Sequence, residues 1–119
     1  MGTQHNFRKL HIWNRAMELT EHIYRLTGTF PDDERYGLTK QVQRAAVSIP
    51  SNIAEGSDRN TDKEFSYFLG IAAGSAAEVY TQLELAKRLG YLNESQTKKV
   101  LEDAITIKKM IYRFRRQLK

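Results

Sequence analysis

Apolar residues recur along the chain in alternating steps of four and three, and four such stretches, separated by short polar breaks, predict four amphipathic helices. The first runs from about Arg8 to Thr27, with Ile12, Ala16, Leu19, Ile23 and Leu26 on one face in the pattern of a bundle seam. A second stripe, Leu10, Trp13, Met17 and Tyr24, lies about 120° around the same helix. Two apolar faces imply more than one neighbour, either inside the bundle or across a subunit boundary. Gly28 suits a C-cap, and Pro31 blocks continuation.

The second stretch, Tyr36 to Gly56, is a helix of small residues with a proline in its interior. Leu38, Val42, Ala45, Ile49 and Ile53 share one face, yet Pro50 cannot donate to the carbonyl of Ala46 and biases Ile49 away from helical angles. The helix therefore either kinks at Pro50 or stops there. The unbroken stripe favours a kink; Asn52 followed by Glu55 reads as a capping box for a new helix. Ala45, Ala46, Ser48, Ser51, Ala54 and Gly56 are small enough to admit a neighbouring backbone. Ahead of this stretch, the acids of Thr29 to Arg35 sit where negative charge complements a helix N-terminus.

Thr61 with Glu64 makes a capping box for the third helix, whose seam is Phe65, Leu69, Ala72, Ala76, Val79, Leu83 and Ala86. Gly70, Ala73, Gly74 and Ala77 form a further small-residue strip. Each glycine costs about 1 kcal/mol in helix propensity relative to alanine, which tight helix contact would offset. Gly90 ends this helix, with Tyr91 or Leu92 supplying the apolar contact after the cap. Asn93 with Gln96 opens the fourth helix, whose seam is Val100, Ala104, Ile107, Ile111, Phe114 and Leu118. Four helices, short connections and no strand signal predict an all-α, up-and-down four-helix bundle in one domain over residues 1–119. Residues 1–6 have little apolar content and read as a flexible end.

Composition alters this picture mainly through charge. The net charge is +5, from 19 basic and 14 acidic side chains. Eight of the basic residues (Lys98, Lys99, Lys108, Lys109, Arg113, Arg115, Arg116 and Lys119) lie between Lys98 and Lys119, in the last helix, where the only acids are Glu102 and Asp103. The remaining 97 residues are close to neutral, so a polyanion is expected to meet that helix first. Tyr112 and Phe114 are interleaved with the arginines; arginine forks onto phosphate and aromatic rings stack on exposed bases. The competing reading is a solvated face, and Phe114 falls on the seam. Cys is absent, which removes disulfide and thiolate chemistry and fits a reducing cytoplasm. No run approaches the roughly 20 apolar residues of a membrane span.

Candidate chemistry is sparse. Di-metal bundles use Glu-x-x-His pairs on facing helices; the nearest approximation is Glu18 with His22 at a spacing of four, so no metal or cofactor is expected. His5 and His11, near the chain end, read as surface or packing residues. Ser48 and Ser51 flank Pro50 without an oxyanion hole or a nucleophile elbow, and capping or packing explains them. Asn52 and Glu55 read as a buried polar pair at a helix junction. Gly70 and Gly74 are inside a helix and form no phosphate-binding loop. The expectation is a protein without enzymatic activity.

The runs FRKLHIWNRAMEL, FPDDERYGLTKQVQRAAVSIPSNIAEG and KEFSYFLGIAAGSAAEVYTQLELAKRLGYL resemble the bacterial four-helix bundle proteins encoded in intervening sequences of 23S rRNA genes. The resemblance covers residues 7–92; the fourth helix matches in character only. It implies a ring-shaped homopentamer and a second helix continuous through Pro50. The group is also similar to accessory proteins of diversity-generating retroelements, which are basic, bind nucleic acid and contact a reverse transcriptase. RNA or DNA, further copies of the chain, and a reverse transcriptase are thus the implied partners. No active site is transferred by the resemblance.

Overall fold

A computed structural model describes residues 5–118 of the chain. Helix α1 spans His11–Thr27, α2 Leu38–Ser57, α3 Asp62–Arg88 and α4 Glu94–Gln117, with single 3-10 turns at Phe7–Lys9 and Asp32–Glu34. No strand occurs among the described residues. The helices form a bundle 50 Å long and 24 by 20 Å across. Its most extensive seams are α2 with α3 and α3 with α4, and α1 with α4 is the thinnest.

The first helix begins later than its periodicity predicts, because Leu10 is extended and separates the Phe7–Lys9 turn from α1. Asn6 caps that turn by accepting from the Arg8 amide. His5 donates its backbone N–H to the carbonyl of Ser57 at 3.1 Å, and its ring lies 5.1 Å from Phe65 and 6.0 Å from Phe114. Of the six residues expected to be flexible, 1–4 lie outside the described residues, His5 is bound to the end of α2 and Asn6 belongs to the local turn. Gly28 occupies the C-cap of α1 as predicted, in right-handed rather than left-handed conformation.

Helix α2 runs through Pro50 without a break, which excludes the reading of Asn52 and Glu55 as a fresh capping box. Proline removes the donor that the Ala46 carbonyl would otherwise receive. Thr20 of α1 supplies a replacement: its hydroxyl lies 3.1 Å from that oxygen and 2.8 Å from the carbonyl of Ala16. The single hydroxyl proton is shared between the two carbonyls, so the Ala46 oxygen gains a partial partner from the neighbouring helix. Asn52 and Glu55 do not pair with each other. Asn52 donates to the Ser48 carbonyl and hydroxyl, and Glu55 holds Arg59 at 2.6 Å.

The small residues of α2 and α3 divide by burial. Ser48 meets Ser75 at 2.8 Å across the α2–α3 seam, and Ala45, Ala46 and Gly56 are buried. A Cβ at Gly56 would lie 2.8 Å from both Phe65 and Phe68, so glycine is required where α2 crosses the start of α3. The α3 strip is different, contrary to the expectation of uniform tight contact. Ala73 is buried, but Gly70 lies under the Arg115 guanidinium and Gly74 has nothing within 4 Å.

The remaining ends follow their sequence signals. Thr61 accepts from the Glu64 amide, but the Glu64 carboxylate takes the Thr61 hydroxyl instead of the Thr61 amide, so only one arm of the predicted capping box forms. Gly90, at φ 84°, donates to the Lys87 carbonyl while Tyr91 donates to that of Ala86, the pair of bonds of a Schellman motif. Asn93 and Gln96 form both arms of a capping box. The predicted seams of α3 and α4 are buried as far as Ile111, while Phe114 and Leu118 are partly buried against the core.

Candidate nucleic-acid interface

On a helix that turns about 100° per residue, Lys98, Lys109 and Arg116 fall within about 20° of one line, with Arg113 beside it. The line faces away from the seam formed by Val100, Ala104, Ile107 and Ile111. From Lys98 to Arg116 it extends about 27 Å at 1.5 Å per residue. All four of these side chains are exposed, and among the described residues no carboxylate forms an ion pair with any of them. Each remains available to a phosphate.

The other basic residues of α4 are differently placed. Lys99 is bound to Asp103 at 3.2 Å, and the same carboxylate faces Arg15 of α1 at 3.8 Å. Lys108 and Arg115 are half-buried. Arg115 donates from Nε to the Ser66 hydroxyl of α3 at 3.2 Å. Lys119 lies outside the described residues. Of the aromatics, Tyr112 is 41% exposed, whereas Phe114 packs 5.4 Å from Phe65. The predicted basic set therefore separates into an open row and a group that is paired within α4 (Lys99), bonded to α3 (Arg115) or half-buried (Lys108).

The second stripe of α1 is only partly covered. Leu10 and Trp13 are half-buried, with Trp13 5.2 Å from Phe7, while Met17 and Tyr24 are 38% and 47% exposed. Trp13 and Met17 join Phe7, Val47, Pro50 and Ala54 around an apolar groove of about 370 Å³ between α1 and α2. On the α1–α4 side, Glu18 and His22 line a polar groove of about 690 Å³ with Arg15, Arg25, Lys99 and Asp103. Among the described residues, no three His, Cys, Asp or Glu side chains converge as a metal site would need.

Glu34, Tyr91 and Lys87 have shifted ionisation at structural joints. Glu34 accepts from the Leu38 amide at the start of α2 and from the Tyr91 hydroxyl beyond α3. The Leu38 bond chiefly, with that of Tyr91, holds the Glu34 carboxyl below its usual range. The bond to Glu34 in turn raises the Tyr91 phenol. Lys87 is raised mainly by its bond to Glu94. The linker acid thus does more than complement a helix terminus, since it ties two loops together. Periodicity gave no sign of this, because the partners are 57 residues apart.

No described helix is long and apolar enough to cross a membrane. The fold is similar to the crystal structure of a protein of unknown function from the S23 ribosomal protein family of Bacteroides thetaiotaomicron. The TM-score is 0.79 at 24% identity, over 87% of this chain and 97% of that one. No curated protein matches the chain. Residues 8–113 match the sequence pattern of the 23S rRNA-intervening sequence proteins, a span that takes in α1 to α3 and most of α4, and the chain belongs to that family.

Proposed function

We propose that the chain is a non-enzymatic, basic accessory protein of the cytoplasm that binds nucleic acid as a homo-oligomer. The open row of Lys98, Lys109, Arg113 and Arg116 carries this reading: four exposed cations without carboxylate partners, aligned on one side of one helix. Such a row fits a phosphate backbone, and binding through it is backbone-led and weakens steeply as salt rises. Assembly multiplies the effect, since a ring of five copies would present five rows and a net charge five times +5. The exposed Met17 and Tyr24 support an interface between copies on the α1–α2 side.

Titration of a structured RNA at low and moderate salt tests the reading. Binding that falls linearly on logarithmic axes is expected; no binding at either salt overturns it. Mass in solution tests the ring, which a monomer would exclude. A second reading rests on the apolar groove between α1 and α2: an adaptor that holds another protein there, such as a reverse transcriptase. A protein partner captured equally well after nuclease treatment favours the adaptor, whereas loss on nuclease treatment favours nucleic acid.

A further inference from the structure

Beyond the open row, one end of the α3–α4 seam carries a cavity of about 540 Å³ lined by Asp62, Lys63, Ser66, Tyr67, Arg115 and Leu118. Building on the nucleic-acid reading above, we propose that this cavity accepts an unstacked base of a single strand whose backbone follows the row on α4.

Each wall has the chemistry this needs. Tyr67 is 65% exposed, which leaves its ring accessible from solvent. Its ring is braced edge-on by Phe68 at 5.3 Å, and the Arg59 guanidinium covers Phe68 at 4.8 Å from the ring centroid. A braced aromatic surface loses little freedom when a base stacks on it. Leu118 adds a second apolar wall. Arg115 uses only Nε for Ser66, and its guanidinium lies flat over Gly70, where a Cβ would come 3.5 Å from both terminal nitrogens. The fork is thereby positioned with terminal N–H groups left to donate to a phosphate. Lys63 supplies a second cation. The volume falls within the range of small-molecule sites.

This arrangement distinguishes strands from duplexes. In a duplex each base is stacked on both sides and offers no free face to Tyr67, so the cavity contributes only to single-stranded ligands.

The test is an anisotropy titration of short labelled oligonucleotides, as RNA and as DNA, each single-stranded and annealed to its complement. Tyr67→Ala is expected to weaken single-strand binding about tenfold, the loss typical of one stacked base, and to leave duplex binding unchanged. Tyr67→Phe keeps the ring and is expected to bind single strands like the parent, and the form bound more tightly, RNA or DNA, identifies the source of the strand. Circular dichroism of both variants checks that α3 is intact. Unchanged single-strand binding by Tyr67→Ala, or an equal loss on both kinds of probe, overturns the base cavity while leaving the open row standing. Failure of the parent protein to bind any probe overturns both.

Discussion

Helices α2 and α4 pose opposite problems. The α2 sequence is the odd one, with an internal proline and a scatter of small residues, and the structure resolves nearly all of it internally. Thr20 takes the carbonyl that Pro50 leaves free, Ser48 meets Ser75, and Gly56 backs onto Phe65 and Phe68. The α4 sequence is regular, with a clean seam and a complete capping box, yet four of its cations are left without carboxylates. An unusual sequence whose features are all satisfied within the fold points to architecture. Unsatisfied charge on an otherwise ordinary helix points outward, to a partner. Substitutions in α2 should therefore change stability, and those in α4 should change binding.

The largest stability effect is expected at Gly56. A methyl group there would meet two phenylalanines at 2.8 Å, and overpacking of this kind costs about 1–3 kcal/mol. Gly56→Ala should lower the midpoint of chemical denaturation accordingly; a variant as stable as the parent would mean that α2 and α3 separate freely at this crossing. A smaller effect is expected at Thr20, where valine keeps the shape and removes the hydroxyl. Loss of a partly buried hydrogen bond costs about 1 kcal/mol. The informative form is a double-mutant cycle with Pro50→Ala, which restores a backbone donor to Ala46. Thr20→Val should cost less in that background, and additive losses would show that Thr20 does not compensate for the proline.

A weaker effect, dependent on pH, is expected at the Glu34 joint. Its carboxyl is held below the usual range in the folded chain. The corresponding stability is present above the ordinary carboxylate pKa and is lost as pH falls through the lowered folded value. Glu34→Gln should thus be less stable than the parent near neutrality, and the gap should close on acidification. A gap independent of pH would assign the effect to geometry alone.

Much of this was legible in the sequence because it is local. Four-and-three spacing located all four helices and the buried faces of α3 and α4, and Asn93 with Gln96, and Gly90, marked ends that depend on neighbours a few residues away. What was not legible depends on distant partners. The hydroxyl facing the carbonyl that Pro50 leaves free belongs to Thr20, on another helix, and Arg115 is tied to Ser66, 49 residues earlier. The glycines illustrate the same limit, since Gly56, Gly70 and Gly74 look alike in sequence and meet two phenylalanines, a guanidinium and open space. In the basic helix, sequence identified the charged element; only the fold separates the open row from Lys99, Lys108 and Arg115.

The central claim is that the open row on α4 binds nucleic acid and contributes little to folding. Its most direct test combines thermal unfolding with a salt-dependent RNA titration of the variant Lys98→Ala, Lys109→Ala, Arg113→Ala, Arg116→Ala. Exposed substitutions away from structural contacts usually change stability by less than about 0.5 kcal/mol each, so the unfolding transition should stay near that of the parent. The salt slope should become shallower by about one unit for each phosphate contact removed. A folded variant that binds RNA with the parent's affinity and the parent's slope would contradict the account.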